Sequence, residues 1–100
     1  MSDLPERVEI AEEGPREGFQ IEKNPIASAD KIALIDALSA TGLRHIQVAS
    51  FVSPKLVPGW ADAEAVVGGF TPKPGIHYTG LWFNATGLDR ALAFKDRLHL

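Results

Sequence analysis

The run His45-Ile46-Gln47-Val48-Ala49-Ser50-Phe51-Val52-Ser53-Pro54-Lys55 decides how this chain is organised. His45–Ala49 suits a short strand, and Ser50–Pro58 suits a loop, because Pro54 and Pro58 lack the donor that an ordinary helix needs. Working outward, Val8-Glu9-Ile10-Ala11-Glu12 alternates apolar and polar residues with the period of a strand. Glu13-Gly14-Pro15 punctuates it, and a long polar loop is expected from there to about Ala27. Downstream, Ile76–Trp82 is a third strand candidate. Helical patterns lie between and after the strands. Ser28 is placed to cap a helix over Ala29–Thr41, where Ile32, Ile35 and Leu38 recur at helical spacing, and Gly42 suits the left-handed residue that ends it. Ala61–Gly68 reads as a short second helix starting near Asp62, and Leu88–Leu98 as a third.

Strands near residues 10, 47 and 79 recur every ~35 residues, and eight such units make a barrel of about 280 residues. The expected class is therefore α/β: the N-terminal βα units of a (β/α)8 TIM barrel, incomplete in this chain. Residues 1–100 form about three units of one barrel domain in this reading. Alone, such units leave two unpaired edges on a parallel sheet that normally needs cover on both faces. The isolated chain is accordingly expected neither to fold stably nor to catalyse. A small open α/β sheet of flavodoxin-like type is the competing architecture.

Composition narrows the functional classes. Of 100 residues 45% are apolar, as a globular chain requires, and the net charge of −3 comes without a basic stripe for nucleic acid. No apolar run approaches the roughly 20 residues of a membrane span. Met1–Arg7 lacks the layout of a signal peptide, and with no cysteine there is neither a disulfide framework nor a thiolate zinc site. A cytoplasmic enzyme or part of one fits, with no nucleic-acid or membrane partner.

In a βα barrel, chemistry sits where strands hand over to loops at the C-terminal face. The first junction, Glu12-Glu13-Gly14-Pro15-Arg16-Glu17-Gly18-Phe19-Gln20, packs carboxylates around one guanidinium. Carboxylates suit hard divalent cations, and an arginine beside them can neutralise an oxyanion; a solvated charged loop is the plainer alternative. Lys23 and Lys55 could meet phosphates or simply be solvated, and the glycines lack the dinucleotide spacing. Trp60, Trp82, Phe51 and Phe83 are expected in packing, and His45, His77 and His99 as structural or exposed groups.

Gly14-Pro15-Arg16-Glu17-Gly18-Phe19-Gln20 with Glu22-Lys23 resembles the signature G-P-R-D-G-L-Q-x-E-K of the 3-hydroxy-3-methylglutaryl-CoA lyase family. Ser50-Phe51-Val52-Ser53-Pro54-Lys55 with Val57-Pro58 resembles its second signature, S-F-V-S-P-K-x-V-P. The helix pattern from Lys31 to Leu43, then Pro74-Gly75-Ile76, Tyr78 and Asn84, continue the likeness over roughly residues 8–92.

The resemblance implies metal-assisted cleavage of a 3-hydroxyacyl-CoA into a keto acid and an acyl-CoA, with Mg²⁺ or Mn²⁺ as cofactor and a homodimer of the full-length protein. It implies that Arg16 stabilises the enolate, that Glu17 ligates the metal, and that Gln20, Ser50 and Asn84 contact substrate. Glu12 and Gln47 support them. The family's H-x-H metal pair, asparagine ligand and glycine-rich cysteine loop are expected beyond Leu100. Two positions depart from the pattern: Glu17 replaces an aspartate, and Gln47 replaces a glutamate that would face Arg16. Glu13 is placed to restore one charge there. Together with Phe19 and the Leu81-Trp82-Phe83-Asn84 stretch, these departures indicate a divergent branch and leave the acyl group open between hydroxymethylglutaryl and a relative such as citramalyl. They also keep a second reading alive, a non-catalytic barrel remnant that binds a ligand.

Overall fold

A computed structural model describes residues 4–100, so part of the Met1–Arg7 reading lies outside the described residues. Three parallel strands, β1 (Ala11–Glu12), β2 (His45–Ser50) and β3 (His77–Leu81), lie in that order. Their neighbours in sequence are α1 (Gly14–Ile21), α2 (Ser28–Ser39), α3 (Ala63–Gly69) and α4 (Ala85–Leu92), with a 3-10 turn at Pro58–Trp60. Parallel strands in sequence order with helical crossovers are what a barrel segment demands.

The two faces of the sheet divide by the alternation of side chains. Ile46 and Tyr78 are register neighbours, both buried, and they join Val48, Ile35, Val66, Val67 and Phe70 in the core. Tyr78 reaches α2, where its hydroxyl lies 2.8 Å from Ser39 Oγ. Gln47 and Thr79 are paired on the opposite face, together with His45 and His77. An irregularity between Gln47 and Ala49 leaves Val48 unpaired in the register, and a bulge of this kind bends a strand where a site must be aimed.

Several elements differ from expectation. β1 is two residues long, and Val8 and Ile10 are 77% and 63% exposed. Among the described residues β2 is the one neighbour that pairs with it, and that pairing holds Ala11 and Glu12 alone. The loop expected over Glu13–Ala27 is helical from Gly14 to Ile21. Pro15 falls at the start of α1, where its missing N–H is not needed and its fixed φ favours a helix. Ser28 is the first residue of α2 rather than its cap; its hydroxyl donates to Asp62 Oδ2 at 2.5 Å. That helix stops at Ser39, and Gly42 takes the expected left-handed conformation at φ 91°. α4 starts at Ala85 because Asn84 caps it, with Oδ1 accepting from the Gly87 N–H at 2.8 Å. It ends at Leu92 and continues as turns. Trp60 and Phe51 are buried as expected, whereas Trp82 and Phe83 are exposed.

At the N-terminal end of the strands the three histidines form a row. The rings of His45 and His77 lie 5.1 Å apart and those of His77 and His99 4.2 Å apart. The His99 N–H donates to the Tyr78 carbonyl at 2.7 Å, which extends the sheet's hydrogen bonding past β3.

The Tyr78 hydroxyl also accepts from the Lys73 N–H at 3.0 Å. We expect Tyr78→Phe to cost about 1–2 kcal/mol, since it leaves a buried Ser39 hydroxyl and a loop amide without this partner. A lowered urea midpoint at unchanged m-value is the measurement, and an unchanged midpoint contradicts the assignment.

Candidate active site

The short β1 delivers the chain directly into α1, and Glu12 closes that junction, its Oε1 accepting from the Gly14 N–H at 2.9 Å. One turn on, Arg16 reaches across to β2. Its Nε donates to Gln47 Oε1 at 2.7 Å, and its Nη2 lies 3.3 Å from Glu13 Oε2. The neutral Gln47 thus fixes the guanidinium by a hydrogen bond, while the compensating charge comes from Glu13, as the sequence suggested. The Arg16 side chain remains 16% exposed, so part of it still meets solvent.

Glu17 follows at the exposed edge of α1, its N–H bonded to the Glu13 carbonyl. Its carboxylate has no hydrogen bond or ion pair among the described residues. No group of three or more acidic or histidine side chains among those residues could hold a metal ion. A free, exposed carboxylate fits one position of a hard cation's oxygen shell, which takes about six ligands, and cannot hold such a cation alone. Gln20 lies one helical turn beyond Arg16, and its Oε1 is buried without a hydrogen-bond partner among the described residues. Ser50 ends β2 fully buried, with Oγ accepting from the Val52 N–H at 3.4 Å. Arg16 and Gln47 are therefore joined, with Glu17 and Gln20 on the same helix. Asn84 stands apart, its side-chain oxygen engaged as a cap.

Three supporting residues escaped the sequence reading. Lys31 is 2% exposed, and its Nζ donates to the Gly59 carbonyl at 2.5 Å and to Asp62 Oδ1 at 2.7 Å. The ammonium also lies 4.5 Å from the Trp60 ring centroid. Burial pushes the Asp62 carboxyl up, but hydrogen bonds from Lys31 and Ser28 and the lysine's charge outweigh it and hold it below the usual range. A signal was available: Lys31 falls in the α2 stripe with Ile35 and Leu38, a charge on the core side. The third, Arg90, braces the second loop. It pairs with Glu64 through Nε at 2.7 Å and Nη2 at 2.8 Å, and its Nη1 donates to the Phe51 carbonyl at 3.2 Å. The Arg90 hydrogen bonds lower the Glu64 carboxyl in turn.

Known proteins place this arrangement. No family model matches the chain. It is 50% identical over 90 residues to a 3-hydroxy-3-isohexenylglutaryl-CoA/hydroxy-methylglutaryl-CoA lyase of Pseudomonas aeruginosa, covering 90% of this chain and 30% of that protein. It is 48% identical over 93 residues to the human mitochondrial hydroxymethylglutaryl-CoA lyase, covering 93% of this chain and 29% of that one. A crystal structure of the lyase from Pseudomonas aeruginosa superposes with a TM-score of 0.89 at 48% identity, over 94% of this chain and 31% of that one. A lyase from Acinetobacter baumannii, solved with coenzyme A and 3-methylmalate, gives 0.88 at 38% identity, over 95% of this chain and 31% of that one.

The fold is that of the N-terminal part of a TIM barrel. The chain is similar to the N-terminal part of hydroxymethylglutaryl-CoA lyases, and it spans about 30% of the length of the curated relatives it matches.

Asp62→Asn would leave the buried Lys31 ammonium without its counter-charge, at an expected cost of roughly 2–3 kcal/mol at neutral pH. Because the Asp62 carboxyl is lowered in the folded state, its contribution is present above about pH 4 and is lost as pH falls through the lowered value. The stability gap between wild type and variant should therefore narrow on acidification, as read from urea midpoints. A gap that stays constant down to about pH 3 contradicts the pairing.

Proposed function

We propose that this chain supplies the first active-site loop of a carbon–carbon lyase that cleaves a 3-hydroxy-3-methylglutaryl-CoA-like thioester to a keto acid and an acyl-CoA. The observation that carries the reading is the hold on Arg16 at the C-terminal end of the strands, inside the family's signature loop. In this reading residues 1–100 are a segment of a single barrel domain. When a base takes the hydroxyl proton, the new carbonyl of the keto acid forms as the C–C bond breaks, and the bond's electron pair gathers on the thioester oxygen as an enolate that is then protonated to the acyl-CoA. The Arg16 guanidinium, already oriented by Gln47, meets that charge without reorganising. Gln20, with its buried and unpartnered Oε1, and Ser50 orient the substrate's polar groups. Asn84 is a weaker contact, since its oxygen caps α4. Glu12 keeps the junction closed behind α1.

Glu17 would hold one ligand position of a divalent cation, Mg²⁺ or Mn²⁺, which when bound lowers the pKa of the substrate hydroxyl. Named relatives include bacterial, mitochondrial and cytoplasmic lyases. Among the described residues no helix is long and apolar enough to cross a membrane. We assign the full protein to the cytoplasm, as a homodimer acting on an acyl-CoA. The non-catalytic alternative rested on Glu17 and Gln47, and the second of these loses weight because Gln47 still binds Arg16 at 2.7 Å.

Arg16→Lys keeps the charge but loses the planar fork. In the full-length protein with added Mg²⁺ or Mn²⁺, we expect kcat to fall by about a hundredfold with KM for the acyl-CoA little changed, because the enolate charge exists only as the bond breaks. Turnover within a few-fold of wild type would remove Arg16 from the role.

A further inference from the structure

We propose that Trp60 is a positioning residue for Arg16, tethering the peptide of the arginine from below while Gln47 fixes its side chain. This inference rests on the function proposed above and adds a residue outside both signature motifs. The Trp60 indole N–H donates to the Arg16 carbonyl at 2.7 Å, across 44 residues of sequence. A carbonyl oxygen has two lone pairs, so an indole can bind one on a helical residue while the helix uses the other.

Trp60 can serve this way because it is itself immobile. It is 0% exposed, its ring meets Phe19 of α1 edge-on with centroids 6.2 Å apart, and the Lys31 ammonium sits 4.5 Å from its centroid. The preceding residue brings the turn close enough. A Cβ on Gly59 would lie 2.8 Å from the Phe19 carbonyl, so only glycine lets the turn press against the α1 backbone. Lys31 then grips the Gly59 carbonyl on the far side. The chain of contacts runs from Asp62 through Lys31 and the 3-10 turn to the Arg16 peptide.

The two holds act on different parts of Arg16. Gln47 takes Nε and Glu13 lies near Nη2, which leaves the outer edge of the guanidinium for an oxyanion. Where that edge points depends on where α1 sits, and Trp60 sets that. Displacing a preorganised donor by about 1 Å can cost a hundredfold in rate, so a shift of part of that size is enough to matter.

The test is Trp60→Phe in the full-length protein, which keeps an aromatic ring against Phe19 and Lys31 and deletes the donor. We expect kcat for acyl-CoA cleavage to fall about tenfold with KM within about twofold, because the loss falls on an interaction made in the transition state. A spectroscopic readout accompanies it: the Nε–H resonance of Arg16 in nitrogen-15 arginine-labelled protein should move toward the position of a free arginine. A tryptophan isostere with sulphur in place of the ring nitrogen, introduced at position 60, preserves the shape and repeats the test if the phenylalanine variant folds poorly. An unmoved Arg16 resonance with kcat within about twofold of wild type in the isostere overturns the tether. If the wild-type protein shows no lyase turnover, the functional proposal fails on its own. The resonance still decides the tether, a moved signal upholding it and an unmoved one overturning it.

Discussion

A single buried ammonium organises this part of the molecule. Lys31 leaves water almost completely, and an unpaired charge in such a place costs several kcal/mol. Everything near it is arranged to avoid that. Asp62 brings the counter-charge from just ahead of α3, the Gly59 carbonyl brings a second acceptor, and the Trp60 ring presents its face. Satisfying one group on α2 thereby draws the 3-10 turn and the start of α3 onto it. The 3-10 turn in turn supports α1, so the loop that carries Arg16 inherits its position from an electrostatic demand two elements away.

The strand spacing made the parallel βα order legible, because strand alternation and glycine or proline punctuation are local signals. Two features were not local. Gly14-Pro15 reads as a breaker in isolation, yet the same pair opens α1 once proline lands in the first turn. That helix is mostly polar and gains its footing from the buried Pro15 and from Phe19 against Trp60, partners invisible to a window scan. Trp82 and Phe83 were expected inside because large aromatics usually are, but the strand ends at Leu81 and carries both out of the sheet. Asn84 carries a cap signature as good as its substrate-side one, and the cap is what its oxygen makes. Of the site, Arg16 with Gln47 and Glu13 was readable from motif and charge; the Lys31 network needed the third dimension.

The two ends of the sheet are chemically unlike. At the C-terminal end lie a guanidinium, a free carboxylate and an orphaned amide oxygen. At the other end lies the row of imidazoles, where His45 Nε2 bonds Glu9 Oε2 at 2.6 Å and, by that hydrogen bond first, lowers the Glu9 carboxyl. The bulge at Val48 falls between them, on the strand that carries both His45 and Gln47. A register irregularity there lets the lower half of β2 keep strict pairing with β3 while the upper half turns toward its loop.

The tether between Trp60 and Arg16 also has a bearing on biosynthesis. A chain leaves the ribosome from its N-terminus at roughly 5–20 residues per second, so early segments can meet before later ones are made. Arg16 needs only Gln47, 31 residues later, and Trp60, 44 residues later, to be gripped at both ends. Every residue in that grip, Lys31 and Asp62 included, precedes β3 in the chain. Arg16 can thus be seated without β3, and later strands would assemble against a loop already in place.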